Sequence, residues 1–260
     1  MSKKIAVYIR GHLRTWDYIK EMNFNFFDSL PWDVDFYLAT WEYSPKTLSR
    51  LGKDFKNRNL KGIEIFKRAD HYNPWTGPAS MSTRLSKLRI QEQLANNVEY
   101  EFIIETRFDV FLKLLKTPTT PNENSFGVTE TTGQFQDKVK EIITGLSDHC
   151  FLSKPSPHAI MNLRQLISAG EDGNHITLYK LAKLYNINIF RIDWFDAIIS
   201  RPNIVDSLEN FSETCHELRN KWNNLSIDQK MIYVTKANID PYDYAESYHV
   251  GNLLGKNHEA

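Results

Sequence analysis

Cysteine is scarce in this chain. Among its 260 residues there are two, Cys150 and Cys215, far apart and in no paired spacing. That excludes a disulfide-framed scaffold and a Cys-based zinc site, and it sets the expectation of a reducing, cytoplasmic location. Net charge is missing too. Thirty-two Lys and Arg balance 32 Asp and Glu, so no overall field draws the chain to nucleic acid or to an anionic membrane. No apolar run approaches the roughly 18 residues needed to cross a bilayer. In the opening "MSKKIAVYIRG" the apolar stretch from Ile5 to Ile9 is too short for the core of a signal peptide. Glycine-rich phosphate loops are also lacking. Neither G-x-x-x-x-G-K-[ST] nor G-x-G-x-x-G occurs, which counts against kinase and dehydrogenase readings.

Aromatic residues, by contrast, are plentiful: six Trp, 12 Tyr and 15 Phe, enough for a thick core, for ring-stacking platforms, or for both. "KIAVYI" and "VDFYLAT" read as strands that stop at polar loops, with the helix-spaced "DYIKEMNFNFFDSL" between them. "KGIEIFKR" supplies a third strand. "SMSTRLSKLRIQEQLANN" reads as a helix capped near Ser80 or Ser82, with Leu85, Leu88 and Leu94 on one side. "EYEFIIETRFDVFLK", residues 99 to 113, is taken as one fourth strand. This alternation predicts an α/β fold, an open mixed and mostly parallel sheet flanked by helices. After Lys116 a loop rich in Thr, Pro and Asn intervenes, then a short strand at "GLSDHCFLSKP", helices at "SPHAIMNLRQLIS" and "NHITLYKLAKLYN", and a last strand at "INIFRIDW". Residues 1–202 form the expected main domain, and 203–260 a polar, helical C-terminal extension.

In open α/β sheets ligands bind beyond the carboxyl ends of the strands. That rule brings "RGHLRT", "ATWEYS" and "TRFD" to one crevice. Gly11 allows close backbone approach, and Arg10 and Arg14 offer fork-shaped donors suited to phosphate. Alternation along a strand puts Glu105, Arg107 and Asp109 on one face. There Asp109 is placed to hold a divalent metal, a ribose hydroxyl, or both, and Arg107 to meet a phosphate or to clamp Glu105. An internal ion-pair cluster without a ligand is the competing reading. His175 reads as a helix-surface residue, and Trp75 as a packing residue or a platform for a sugar or base.

Taken in order, "KIAVYIRGHLRTW", "VDFYLATWEYS", "FIIETRFDVF" and "LSDHCFLSKPSPHAIMNL" resemble the succession in small nucleotide-sugar glycosyltransferases of the GT-A fold, viral and bacterial ones included. The resemblance spans roughly residues 3 to 202 and rests on G-x-x-R-T, T-W, T-R-x-D and D-x-x-F. It implies a GT-A-like, Rossmann-like domain that takes a nucleotide-sugar donor and a glycan or glycoprotein acceptor. Gly11, Arg14, Thr15, Thr40 and Trp41 would line the donor nucleotide, and Asp109 would play the acidic part of a D-x-D motif with manganese or magnesium. Here Arg107 occupies the first acidic position, which puts that metal in question and lets a guanidinium offset the diphosphate. Asp148 matches the acceptor-side acid, with Glu171 the competing choice. "YHVGNLLGK" is loosely like the segments with which related transferases close over the diphosphate, which makes His249 a further metal ligand and Lys256 a phosphate contact. A nucleotide- or glycan-binding module without catalysis, and a nucleotidyltransferase, are the rival functions. Oligomeric state is left open.

Overall fold

The computed structural model describes residues 3–13, 15–67, 77–129, 136–137, 142–143, 146, 149–162 and 174–199. The chain opens with β1 (Lys4–Gly11), α1 (Trp16–Asp28), β2 (Asp33–Trp41), α2 (Pro45–Asp54), β3 (Asn59–Phe66), α3 (Gly77–Asn96) and β4 (Tyr100–Arg107). It continues through β5 (Val110–Leu114), β6 (Ser125–Val128), β7 (Gln136–Asp137), β8 (Ile142–Ile143), β9 (Phe151–Ser153), α4 (Pro155–Met161), α5 (Asn174–Leu184), β10 (Asn188–Arg191) and β11 (Phe195–Ile199). The predicted C-terminal extension lies outside the described residues.

Seven strands form one sheet in the order β10-β6-β9-β4-β1-β2-β3. β9 runs antiparallel to both its neighbours, while every other pair in that sheet is parallel. The expected α/β architecture, a mostly parallel mixed sheet flanked by helices, is therefore present and is consistent with a Rossmann-like fold. β1 is an unbroken apolar run because helices cover both its faces; Ile5 through Ile9 are fully buried.

Topology determines where a ligand would sit. The chain moves outward from β1 to β2 to β3, then returns through α3, which packs against β3, β2 and β1, to place β4 on the far side of β1. The direction of progression thus reverses between β1 and β4, the switch point at which open α/β sheets leave a crevice at the carboxyl edge. Arg10–Gly11 and Arg107 end the two strands that flank it.

Four sequence expectations about the elements need correction, the first being the helix cap, since α3 begins at Gly77 and Ser80 and Ser82 lie inside it. The stretch 99–113 is not one strand: β4 stops at Arg107, Phe108 and Asp109 turn, and β5 leaves to pair antiparallel with β11. The cause is local. Phe108 N–H donates to Arg10 O at 3.2 Å, and Asn23 on α1 captures β5 by donating to Val110 O and accepting from Leu112 N–H, each at 2.9 Å. "INIFRIDW" likewise ends its strand at Arg191, and the last strand is β11. Leu94 does not join the buried side of α3, since it is 82% exposed.

Candidate functional site

The carboxyl edge of the sheet is built by fastening strand ends together. Gly11 closes β1 with φ +102, a conformation that L side chains rarely adopt, and a Cβ there would have met no atom within 4 Å. Backbone conformation, not crowding, therefore requires glycine. The Thr40 hydroxyl donates to Gly11 O at 2.9 Å, and Leu13 N–H donates to Tyr43 OH at 3.0 Å, so the loop after β1 is tied to the end of β2 at two points. Thr15 caps α1 and is buried, without a side-chain bond to the helix end. Trp41 is packed, its ring 5.6 Å from His12 and 6.2 Å from Phe66.

At the end of β4, Arg107 grips Asp109 with two bonds, Nε to Oδ1 at 2.8 Å and Nη2 to Oδ2 at 2.9 Å. The Asp109 side chain is 2% exposed and that of Arg107 16%. Arg107 is the more exposed member of the pair. Arg107 does not clamp Glu105, as one sequence expectation had it. Glu105 belongs to a different, fully buried assembly.

That assembly sits beneath the crevice on the face covered by α3 and α4. Glu105 Oε1 accepts from Arg10 Nε at 2.6 Å and from Ser82 Oγ at 2.7 Å, while Oε2 lies 2.9 Å from His158 Nε2. Asn162 Nδ2 lies 3.3 Å from His158 Nδ1 and donates to Ser86 Oγ at 2.7 Å. With Nδ1 as acceptor, the imidazole keeps its Nε2 hydrogen for the carboxylate. Four elements, β1, β4, α3 and α4, are thereby joined at one carboxylate. Buried charges persist only when paired and hydrogen-bonded in this way. Arg10 thus has a positioning part, its Nε tied to Glu105 and its carbonyl holding the Phe108 turn.

The sequence reading missed Ser86 and His158 and took Ser82 only for a helix cap. A signal existed: Ser82, Ser86 and Arg89 recur at helical spacing on the buried side of α3, a polar stripe beside the buried Leu85. Arg89 Nε donates to Tyr8 OH at 2.8 Å and extends the network along the sheet.

Arg14, Asp148, Glu171, Trp75, His249 and Lys256 lie outside the described residues, as does the His175 side chain. The structure brings Gly11, Thr40, Trp41, Arg107 and Asp109 to one edge. Near them Cys150 is fully buried, and burial pushes its thiol well above the ordinary range, which disfavours the thiolate. Among the described residues no three His, Cys, Asp or Glu side chains group to hold a metal, and both Asp109 oxygens are engaged by Arg107. Those residues alone do not compose a metal centre. No helix among the described residues is long and apolar enough to cross a membrane. No protein-family model matches the sequence, and no curated protein matches it either.

Proposed function

We propose that this chain is a glycosyltransferase of the GT-A kind, moving a sugar from a nucleoside diphosphate donor to a hydroxyl of a glycan or glycoprotein acceptor. The observation that carries the reading is the convergence of Gly11, Thr40 and the Arg107–Asp109 pair at the switch point between β1 and β4. The lone antiparallel strand in a parallel sheet agrees with the open mixed sheet that the motif order implies.

In this reaction the acceptor oxygen forms a bond to the anomeric carbon, the bond from that carbon to the diphosphate oxygen breaks, and its electron pair stays on the diphosphate. The Arg107 guanidinium meets that developing charge, aided by Arg14 from the loop after β1. Asp109 orients Arg107 through both of its carboxylate oxygens. The acceptor proton passes to a carboxylate, with Asp148 assigned and Glu171 the competitor. Manganese or magnesium, held by Asp109 and His249, would supply further positive charge to the diphosphate.

Incubating the full chain with a panel of nucleotide sugars, with and without manganese, tests the reading. Release of free nucleoside diphosphate supports a transferase. A thermal shift without turnover would instead mark a binding module, and pyrophosphate release from a nucleoside triphosphate a nucleotidyltransferase.

A further inference from the structure

We infer that a recess at the amino-terminal edge of the sheet, remote from the crevice, is a carbohydrate-binding site. It has a volume of about 370 Å³, opens to solvent, and is lined by Asp28, Trp32, Asp33, Asn57, Arg58 and Asn59 among others. That size is in the range of small-molecule sites. Asp28 ends α1, Asp33 begins β2 and Asn59 begins β3. The crevice lies at the other end of β2, roughly 26 Å away along the strand. A ligand here does not compete with one there, and the inference does not rest on the crevice being a transferase site.

The lining selects the ligand. Arg58 is already engaged, paired with Asp28 and stacked over the Phe24 ring at 4.2 Å. Two carboxylates against one committed guanidinium disfavour a phosphate or carboxylate ligand, and the guanidinium itself disfavours a compact cation. Phe27, Leu30, Val34 and Phe36 also border the recess, but Phe27, Leu30 and Phe36 are buried, so the wall it presents is mainly polar and does not suit an apolar molecule. Asn57 and Asn59, exposed at the rim, each present an amide that both donates and accepts. Trp32 is half-buried, its indole fixed by an edge contact with Phe102 at 4.8 Å and 86°. An aromatic plane held beside amides and carboxylates fits a neutral sugar, whose C–H face packs on a ring and whose hydroxyls donate and accept.

The test uses the full chain and saturation-transfer NMR with lactose, cellobiose, maltose and N,N′-diacetylchitobiose. Binding of at least one disaccharide is expected, weakened about tenfold in an Asn57→Ala plus Asn59→Ala variant. Both asparagines are exposed, so that variant should melt with the wild type. Trp32→Ala provides a second arm, expected to lose the sugar signal wherever it remains folded. No binding by any of the four sugars would overturn the inference. So would binding that survives both variants but is lost in Arg107→Ala, because the sugar would then sit in the crevice. Binding of spermidine in place of every sugar would also overturn it.

Discussion

The two faces of the central sheet are built on opposite principles. On the face under α1 the packing is aromatic. Trp16 stacks on Phe55 at 5.6 Å and 5°, and Phe24, Phe27 and Phe55 all meet Phe36 edge-on. On the face under α3 and α4 the sheet is wired by hydrogen bonds. Glu105 joins Arg10, Ser82 and His158; Arg89 holds Tyr8; and Tyr100 bridges Tyr37 at 2.7 Å to Asp35 at 2.8 Å. Apolar contact is non-directional and tolerates repacking, whereas a buried polar network fixes distances and angles. The difference teaches that the aromatic face supplies packing that tolerates change, while the wired face holds the strand ends in fixed positions and is the costlier to break.

The sharpest way to break that contrast is a single near-isosteric change. Glu105→Gln keeps the shape but leaves Arg10 buried without its carboxylate, and it should cost about 3–5 kcal/mol, read from denaturant midpoints. A cost near zero would mean the wired face is not structural.

The second effect is alkaline. Burial pushes the Tyr8 phenol up from 10.0 to about 12, against the opposing pull of Arg89, and burial also raises Tyr37 and Tyr100. A folded pKa above the unfolded one gives stability that is complete below pH 10.0 and lost as pH rises towards about 12. For Tyr8 the loss is about 2–3 kcal/mol. Melting curves across that window should fall more gently for Tyr8→Phe, while Tyr37 and Tyr100 keep part of the slope.

Smaller still is the response of the aromatic face. Phe36→Leu, at a position 2% exposed, should cost only about 1–1.5 kcal/mol because neighbouring rings can repack. A loss as large as that of Glu105→Gln would erase the contrast between the faces. The least effect belongs to Glu101, whose hydrogen bond from Lys154 at 3.1 Å holds its carboxyl below the usual range. A depressed carboxylate stabilises above the ordinary pKa and loses that contribution as pH falls through the folded value. Glu101→Gln should therefore remove less than about 1 kcal/mol near neutral pH and flatten the acid limb of the melting profile.

Much of this was legible in the chain. The alternating strands and helices, and the rule that parallel strands deliver loops to one edge, sufficed to bring Gly11, Thr40, Trp41, Arg107 and Asp109 together. What escaped was long-range pairing. Alternation along one strand predicted that Arg107 and Glu105 share a face, but it could not reveal that Arg10, 95 residues earlier, takes the carboxylate. Nor did an apolar run from 99 to 113 disclose its break. That depends on Asn23, whose side chain supplies the backbone partners that β5 gives up on leaving the sheet.

The central claim is that the Arg107–Asp109 pair serves a ligand, whereas Glu105 serves the fold. One preparation of Asp109→Asn, measured for single-turnover release of nucleoside diphosphate and for its denaturant midpoint, tests it most directly. Arg107 retains a solvent-reaching edge at 16% side-chain exposure, so it can hydrate when its partner is neutralised. The expected result is a loss of transfer of about 100-fold or more with a stability change below about 1 kcal/mol. Unimpaired transfer together with a loss of about 3–5 kcal/mol would contradict the claim and make the pair another buried structural bridge.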